Sequence, residues 1–225
     1  MCGRYTLRAT PAAIAKEFGL SNVPPLSPRY NIAPTQNVPV VRLAGNTGPR
    51  ELALLRWGLI PSWATDLSIG NRLINARSET AADKPAFRAA FRKRRCLVVA
   101  DGFYEWKKTD GKKQPYFIKR CDDRPFAFAG LWESCPHNDE RIETCTILTT
   151  AANDWMKPLH DRMPVILPPE RYDRWLDPTI EQPDELRSLL RPIALEELEA
   201  YPVSTLVNNP RFDSPRCVEP FPMKE

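Results

Sequence analysis

The chain has 225 residues, with 32 Lys and Arg against 28 Asp and Glu, giving a formal net charge of +4. That is enough chain to bury a core without help from disulfides or metals, and the mildly basic balance permits nucleic-acid binding without demanding it. No apolar run approaches the ~20 residues of a membrane span and the first residues lack a secretion pattern, so neither a membrane protein nor an exported one is expected. The 24 prolines are about twice the usual share of ~5%, which points to many short elements joined by stiff turns.

In chain order, Thr10 before Pro11 reads as a helix N-cap with Pro at the first helical position, and Gly19 reads as the stop. Residues 22–36 are Pro-rich and extended. Strands are expected at 38–43 and 51–57, joined by the Gly-Asn-Thr-Gly-Pro turn at 45–49. A helix is expected over 84–95, opening at Pro85, with Phe87 and Phe91 on one face. Arg88, Arg92, Lys93, Arg94 and Arg95 line its remainder, as a solvated face or as a patch for phosphates.

The apolar run from Cys96 to Ala100 reads as a buried strand. Strands at 103–108 and 115–119 flank Asp110-Gly111, a hairpin signal. Further strands are expected at 126–130, 143–149 and 163–167, then short helices at 170–176, 183–190 and 194–200. Strands followed by small helices, without a βαβ rhythm, indicate an α+β fold, taken as one domain over 1–225.

Six cysteines and two histidines are present, but no CxxC pair occurs, so no metal site is expected. Cys135 and His137 fall in a polar run read as a loop. Neither GxGxxG nor a Walker loop occurs, so no nucleotide or other small-molecule cofactor is expected. Free thiols point to a reduced, cytoplasmic setting, and nothing in this length calls for more than a monomer.

The start, Met1-Cys2-Gly3-Arg4, carries a specific chemistry. Removal of Met1 would leave an amine and a thiol on one residue, titrating near ~7.7–8.0 and ~8.5. Such a 1,2-aminothiol condenses with an aldehyde to an imine, and the thiol then closes on the same carbon to give a five-membered thiazolidine. An internal cysteine, whose nitrogen is an amide, cannot do this.

Separated stretches then combine: Met1–Tyr5, RYNIAP at 29–34, RWGLIPSW at 56–63, INARSET at 74–80, ADGFYEW at 100–106, LHDRMPVIL at 159–167 and PVSTLVNN at 202–209. Together these resemble the SOS-response-associated peptidase family, also called abasic-site processing proteins, from residue 2 to about residue 220. The resemblance implies a one-domain α+β fold with a curled, largely antiparallel β core and short peripheral helices. It implies a suicide enzyme, lyase-like in its chemistry, whose terminal cysteine forms a thiazolidine crosslink with abasic sites in single-stranded DNA after self-removal of Met1. The protein would then sit in the cytoplasm, on the nucleoid when bound to DNA.

By matching motif, the resemblance makes Cys2 the nucleophile, Asn75 the residue holding amine and aldehyde, and Glu105 and His160 the proton carriers. Without it, Asn75 reads as a turn residue, Glu105 as a strand residue facing solvent, and His160 as a structural histidine. A carboxyl set between Tyr104 and Trp106 would have a raised pKa, as proton shuttling needs. Arg4, Arg77 and Arg162 each neighbour one of these residues, where phosphates flanking an extruded sugar should lie. Pro34, Trp63 and Trp106 would offer apolar faces to bases. The family pattern has a second aromatic after the Trp63 position, and here Ala64 stands instead.

Two other readings share parts of this pattern. An amino-terminal-nucleophile cysteine amidohydrolase would use the same Cys2 with its own amine as base, and would need an oxyanion hole. A non-catalytic nucleic-acid binder would use the basic 88–95 face and would have no need of the Asn, Glu and His.

Overall fold

The computed structural model describes residues 2–109, 111–138, 140–191 and 198–221. Its elements run β1 (Tyr5–Leu7), α1 (Pro11–Phe18), β2 (Arg29–Ile32), β3 (Asn37–Leu43), β4 (Arg50–Trp57), β5 (Asn75–Arg77) and α2 (Arg88–Lys93). There follow β6 (Arg95–Ala100), β7 (Gly102–Thr109), β8 (Lys112–Arg120), β9 (Phe126–His137) and β10 (Glu140–Ala151). The chain ends with β11 (Arg162–Pro164), β12 (Ile166–Leu167), α3 (Tyr172–Leu176), α4 (Pro183–Leu189) and β13 (Leu198–Pro202). No helix among the described residues is long and apolar enough to cross a membrane.

Five strands close on themselves in the order β10-β4-β3-β6-β9 and back to β10. An odd ring cannot alternate direction all the way round, so one neighbouring pair must run parallel. That pair is β4 with β10, where Arg56 faces Thr144 and Trp57 faces Cys145. The ring is filled by buried Val40, Leu55, Trp57, Val98, Phe128 and Ile147, among others. This is the curled, largely antiparallel core of an α+β fold.

A second sheet, in the order β13-β8-β7-β1-β2, lies beside the ring. Its β1 is tied down by one buried carboxylate. Asp101 accepts hydrogen bonds from the Thr6 hydroxyl at 2.6 Å, the Ala9 amide at 2.8 Å and Arg8 Nε at 3.2 Å, and also from the Arg8 amide. Gly102 follows because the ring of Phe117 covers it: a Cβ there would lie 2.3 Å from that ring. A small separate cluster of Tyr104, Phe117, Val203, Val207 and Cys217 packs on the sheet.

The local signals act as expected in α1. Thr10 Oγ1 accepts the Ala13 amide at 3.2 Å, and Gly19 closes the helix at φ 63°, left-handed backbone that glycine enters freely. The hairpin of β3 and β4 and that of β7 and β8 also form.

Three expectations need correction. The 84–95 helix is α-helical only over Arg88–Lys93, and Arg95 belongs to β6. Its guanidinium is buried and donates to the carbonyls of Trp175 and Phe91, with burial pushing its pKa down to about 10. The basic run therefore contains a core residue, not one continuous face. The expected helix at 194–200 falls partly outside the described residues, and its described end is strand, because Leu198–Pro202 completes the sheet against Tyr116–Arg120. Sheet pairing overrides the helical preference of Leu, Glu and Ala there. Cys135 and His137 lie in β9 opposite Ile142 and Glu140, not in a loop, and Cys135 is buried.

Candidate active site

Strand register brings Cys2 to Glu105. β1 runs antiparallel to β7 with Tyr5 opposite Phe103 and Thr6 opposite Gly102, and the Tyr104 amide bonds the Arg4 carbonyl at 3.0 Å. Continuing that pairing sets Gly3 opposite Glu105, with Cys2 the next residue along. Cys2 is fully buried. Burial pushes its thiol pKa up, and the neighbouring Glu105 carboxyl pushes it further.

Asn75 arrives from the ring. It opens β5, which runs parallel to β10 with Asn75 opposite Ile147. The preceding residue is pinned by Trp57, whose Nε1 donates to the Ile74 carbonyl at 2.8 Å. From this support Asn75 Nδ2 donates to the Cys2 carbonyl at 2.8 Å. Asn75 Oδ1 is buried without a hydrogen-bond partner among the described residues.

Glu105 is 2% exposed, so the solvent-facing reading of this residue does not hold. Burial raises its pKa to about 7, with Asp161 adding to the shift. A carboxyl in that state exchanges its proton readily at neutral pH.

His160 stands in the connection from β10 to β11, where the chain folds back with Arg162 opposite Ala151. Its Nδ1 meets opposite demands: the Arg162 amide donates to it at 2.9 Å, while the Asp161 carboxylate lies 2.8 Å away. Partial burial lowers the imidazole pKa. The Arg162 amide calls for a lone pair on Nδ1 and the Asp161 carboxylate for a proton there.

The six residues expected to meet DNA fall into two groups. Trp63, at 61% exposed, and the exposed Arg77 border a cavity of about 410 Å³. Its other walls include Leu73, Asn75, Lys84 and Phe87, so it opens directly beside the residue that holds Cys2. Pro34, half-buried, stands between β2 and β3. The remaining three are held by protein acceptors. Arg4 donates to Asn31 Oδ1 at 2.8 Å and the Val207 carbonyl at 2.6 Å. Trp106 donates to Asn208 Oδ1 at 2.7 Å and tilts against Tyr104. Arg162 makes a two-pronged pair with Glu79 at 2.7 and 2.9 Å and also donates to the Thr149 carbonyl at 2.7 Å.

Glu79, Thr149, Asp161 and Lys84 thus touch this region and were not singled out in the sequence. Glu79 and Asp161 stood inside quoted motifs and could have been found as charges beside Arg77 and His160. Thr149 and Lys84 carried no such signal. A larger cavity of about 530 Å³, lined by Ser78, Glu79, Thr150, Arg187, Leu190 and Arg191, meets the site only through Glu79 and its partner Arg162.

A closed β ring flanked by a second sheet thus holds a buried cysteine beside a side-chain amide and a carboxyl of raised pKa, and that amide also lines a cavity with cationic and apolar walls. Residues 1–210 match the profile of the SOS response associated peptidase family. The chain belongs to that family. It is 45% identical to "Abasic site processing protein YoqW" of Bacillus subtilis strain 168 over 97% of this chain and 99% of that one. It is 34% identical to "Abasic site processing protein HMCES" of Xenopus tropicalis, covering 85% of this chain and 65% of that one. A crystal structure of a protein from Bacteroides thetaiotaomicron superposes with a TM-score of 0.87 at 28% identity, covering 98% of this chain and 100% of that one.

Proposed function

We propose that this protein, acting as one domain and as a monomer, captures abasic sites in single-stranded DNA by a covalent bond to Cys2. The observation that carries the reading is the convergence on Cys2 of the Asn75 amide, at 2.8 Å from its carbonyl, and of the Glu105 carboxyl with its pKa near 7. The names of the relatives support the substrate.

The chemistry begins with loss of Met1, in keeping with the family's peptidase name, which frees the Cys2 amine. Its nitrogen adds to the aldehyde carbon of the open-chain sugar. The carbinolamine hydroxyl takes a proton from Glu105 and leaves as water, and the nitrogen returns its proton to the Glu105 carboxylate, giving the imine. The thiol sulfur bonds to the imine carbon and its proton ends on nitrogen, so aldehyde and aminothiol yield thiazolidine and one water. A thiol whose pKa is raised is still protonated at that moment and brings the proton the nitrogen needs. Asn75 orients Cys2 through its carbonyl, and neutral His160 exchanges a proton with the sugar oxygen as the ring opens.

On the DNA side, Arg77 meets a phosphate and Trp63 stacks a neighbouring base, with Pro34 an apolar neighbour. Arg162 would exchange Glu79 for phosphate, whereas Arg4 and Trp106 contribute chiefly by shaping the wall. The reaction is single-turnover and needs no cofactor, and it belongs in the cytoplasm, on the nucleoid.

The test mixes purified protein with a single strand bearing one abasic site and runs a denaturing gel. A heat-stable shifted band is expected, and Cys2→Ser abolishes it because serine gives at best a labile oxazolidine. A band of undiminished strength with Cys2→Ser would overturn the reading.

A further inference from the structure

Some of the chain's basic residues are matched by acids. In and just after α2, Lys93 pairs with Glu181 and Arg94 with Glu133, while Arg95 is buried. The hairpin of β7 and β8 is different. Lys107, Lys108, Lys112 and Lys113 surround its turn, where Asp110 is the one acid in the sequence. None of the four lysines has an ion-pair partner among the described residues, and all but half-buried Lys107 are exposed.

The hairpin is also an arm. β7 pairs with β1 at Gly102 and Phe103, and β8 pairs with β13 from Tyr116 onward. Between these limits Lys107 to Thr109 and Lys112 to Gln114 pair only with each other. A two-stranded ribbon is marginal by itself, and like charges directly opposite weaken it further. Lys108 stands directly opposite Lys113. The lysines therefore subtract from the stability of the element that carries them, as expected of groups that serve a polyanion.

Alternation puts Lys107 on the face of Glu105, together with Lys112, which is opposite Thr109. Lys108 and Lys113 share the face of Trp106. The ribbon starts from the residue we assign to proton transfer and extends about 13 Å beyond it, at ~3.3 Å per residue. That length spans about four phosphates of a stacked strand at ~3.4 Å rise, and fewer of an extended one.

We propose that the lysine arm at 107–113 is a second DNA contact, gripping the phosphates of the strand on one side of the lesion several nucleotides away from it. The inference rests on the reading of the site as DNA-binding, and its test separates the two. Lys107, Lys108, Lys112 and Lys113 are replaced together by Gln, and in a second variant together by Arg. Affinity for an intact single strand, which cannot form the covalent bond, is measured against salt. The Gln variant loses about 0.7 of the log–log slope per contact, so about two to three in all, and the Arg variant keeps the slope. Linking rates below saturation are then compared on abasic strands with about two or about eight nucleotides on either side. The wild-type and Arg proteins gain rate when one particular side is lengthened, and the Gln variant does not. Equal salt slopes and equal length dependence in wild type and Gln variant would overturn the arm. A wild type that links no strand would sink the covalent reading, while the slopes on intact DNA would still decide the arm.

Discussion

Cys2, Asn75 and Glu105 owe their positions to strand pairing: β1 on β7, β5 on β10, and one side-chain bond between them at 2.8 Å. Trp63 and His160 stand on connections between strands, and Arg77 projects from the last residue of a three-residue strand. Cys2 and Glu105 are buried and Asn75 is half-buried, whereas Trp63 and Arg77 are exposed. Bond-making groups need fixed geometry and a low-dielectric surrounding that moves a pKa by units. Groups that meet a variable polymer gain from adaptable surface contact.

The largest effect that would break this contrast comes from Glu105. In Glu105→Gln the linking rate is expected to fall by about 10²–10⁴-fold, the usual share of a positioned acid. Rate against pH tells how: the wild type declines as pH rises through about 7, where Glu105 loses its proton. The Gln variant lacks that decline and only rises with deprotonation of the amine near ~7.7–8.0. The substitution should act on stability with the opposite sign. A buried carboxyl with a raised pKa leaves the fold unpenalised below its unfolded value of ~4.3, and stability is lost as pH climbs through about 7. Thermal melts should therefore show the Gln variant gaining on wild type toward pH 8 and matching it at pH 4. Equal rates in the two proteins across pH would remove Glu105 from the chemistry.

Asn75→Ala comes next. It leaves the Cys2 carbonyl without its donor, a cost of about 1–3 kcal/mol, and linking should slow by about ten- to a hundredfold at saturating DNA. Affinity for an intact strand should change much less. A loss confined to affinity would move Asn75 into the contact group.

The smallest effect belongs to the exposed side. Trp63→Ala should weaken single-strand binding by about tenfold, in line with ~1–3 kcal/mol per stacked base, and leave the saturated linking rate within about twofold. Titration of a fluorescent strand gives the first quantity and quenched-flow gels the second. A reversed pattern would show that Trp63 shapes the interior.

Wherever local chemistry decides structure, the sequence was informative. Thr10 and Gly19 bound α1, and Asp110-Gly111 stands between β7 and β8. The residues that converge on Cys2 were legible through their motifs, although their burial was not. Glu105 between two aromatics fits a solvent-facing strand as readily as a buried one, and only the second sheet and its side cluster decide it. Arg95 was misassigned because a run of basic residues looks uniform, while the Trp175 carbonyl that it meets in the core lies 80 positions away in sequence. Leu198–Pro202 was misassigned because pairing with β8 is nonlocal and outweighs propensity. The closing of the ring through a parallel pair could not be read at all, since no residue type marks β4 against β10.

The four hydrogen bonds gathered by Asp101 reach beyond the strand they fasten. Chain ends usually fray, and this one carries the residue we propose to react. The knot lies three to six places downstream of Gly3, next to Tyr5, whose ring packs on Trp57 and Phe128 of the barrel. Melting temperature and the hold on Cys2 are then tied to one buried carboxylate. A lineage that dulled or sharpened the cysteine by changing how firmly its tether is tied would change the resistance of the fold to heat as well.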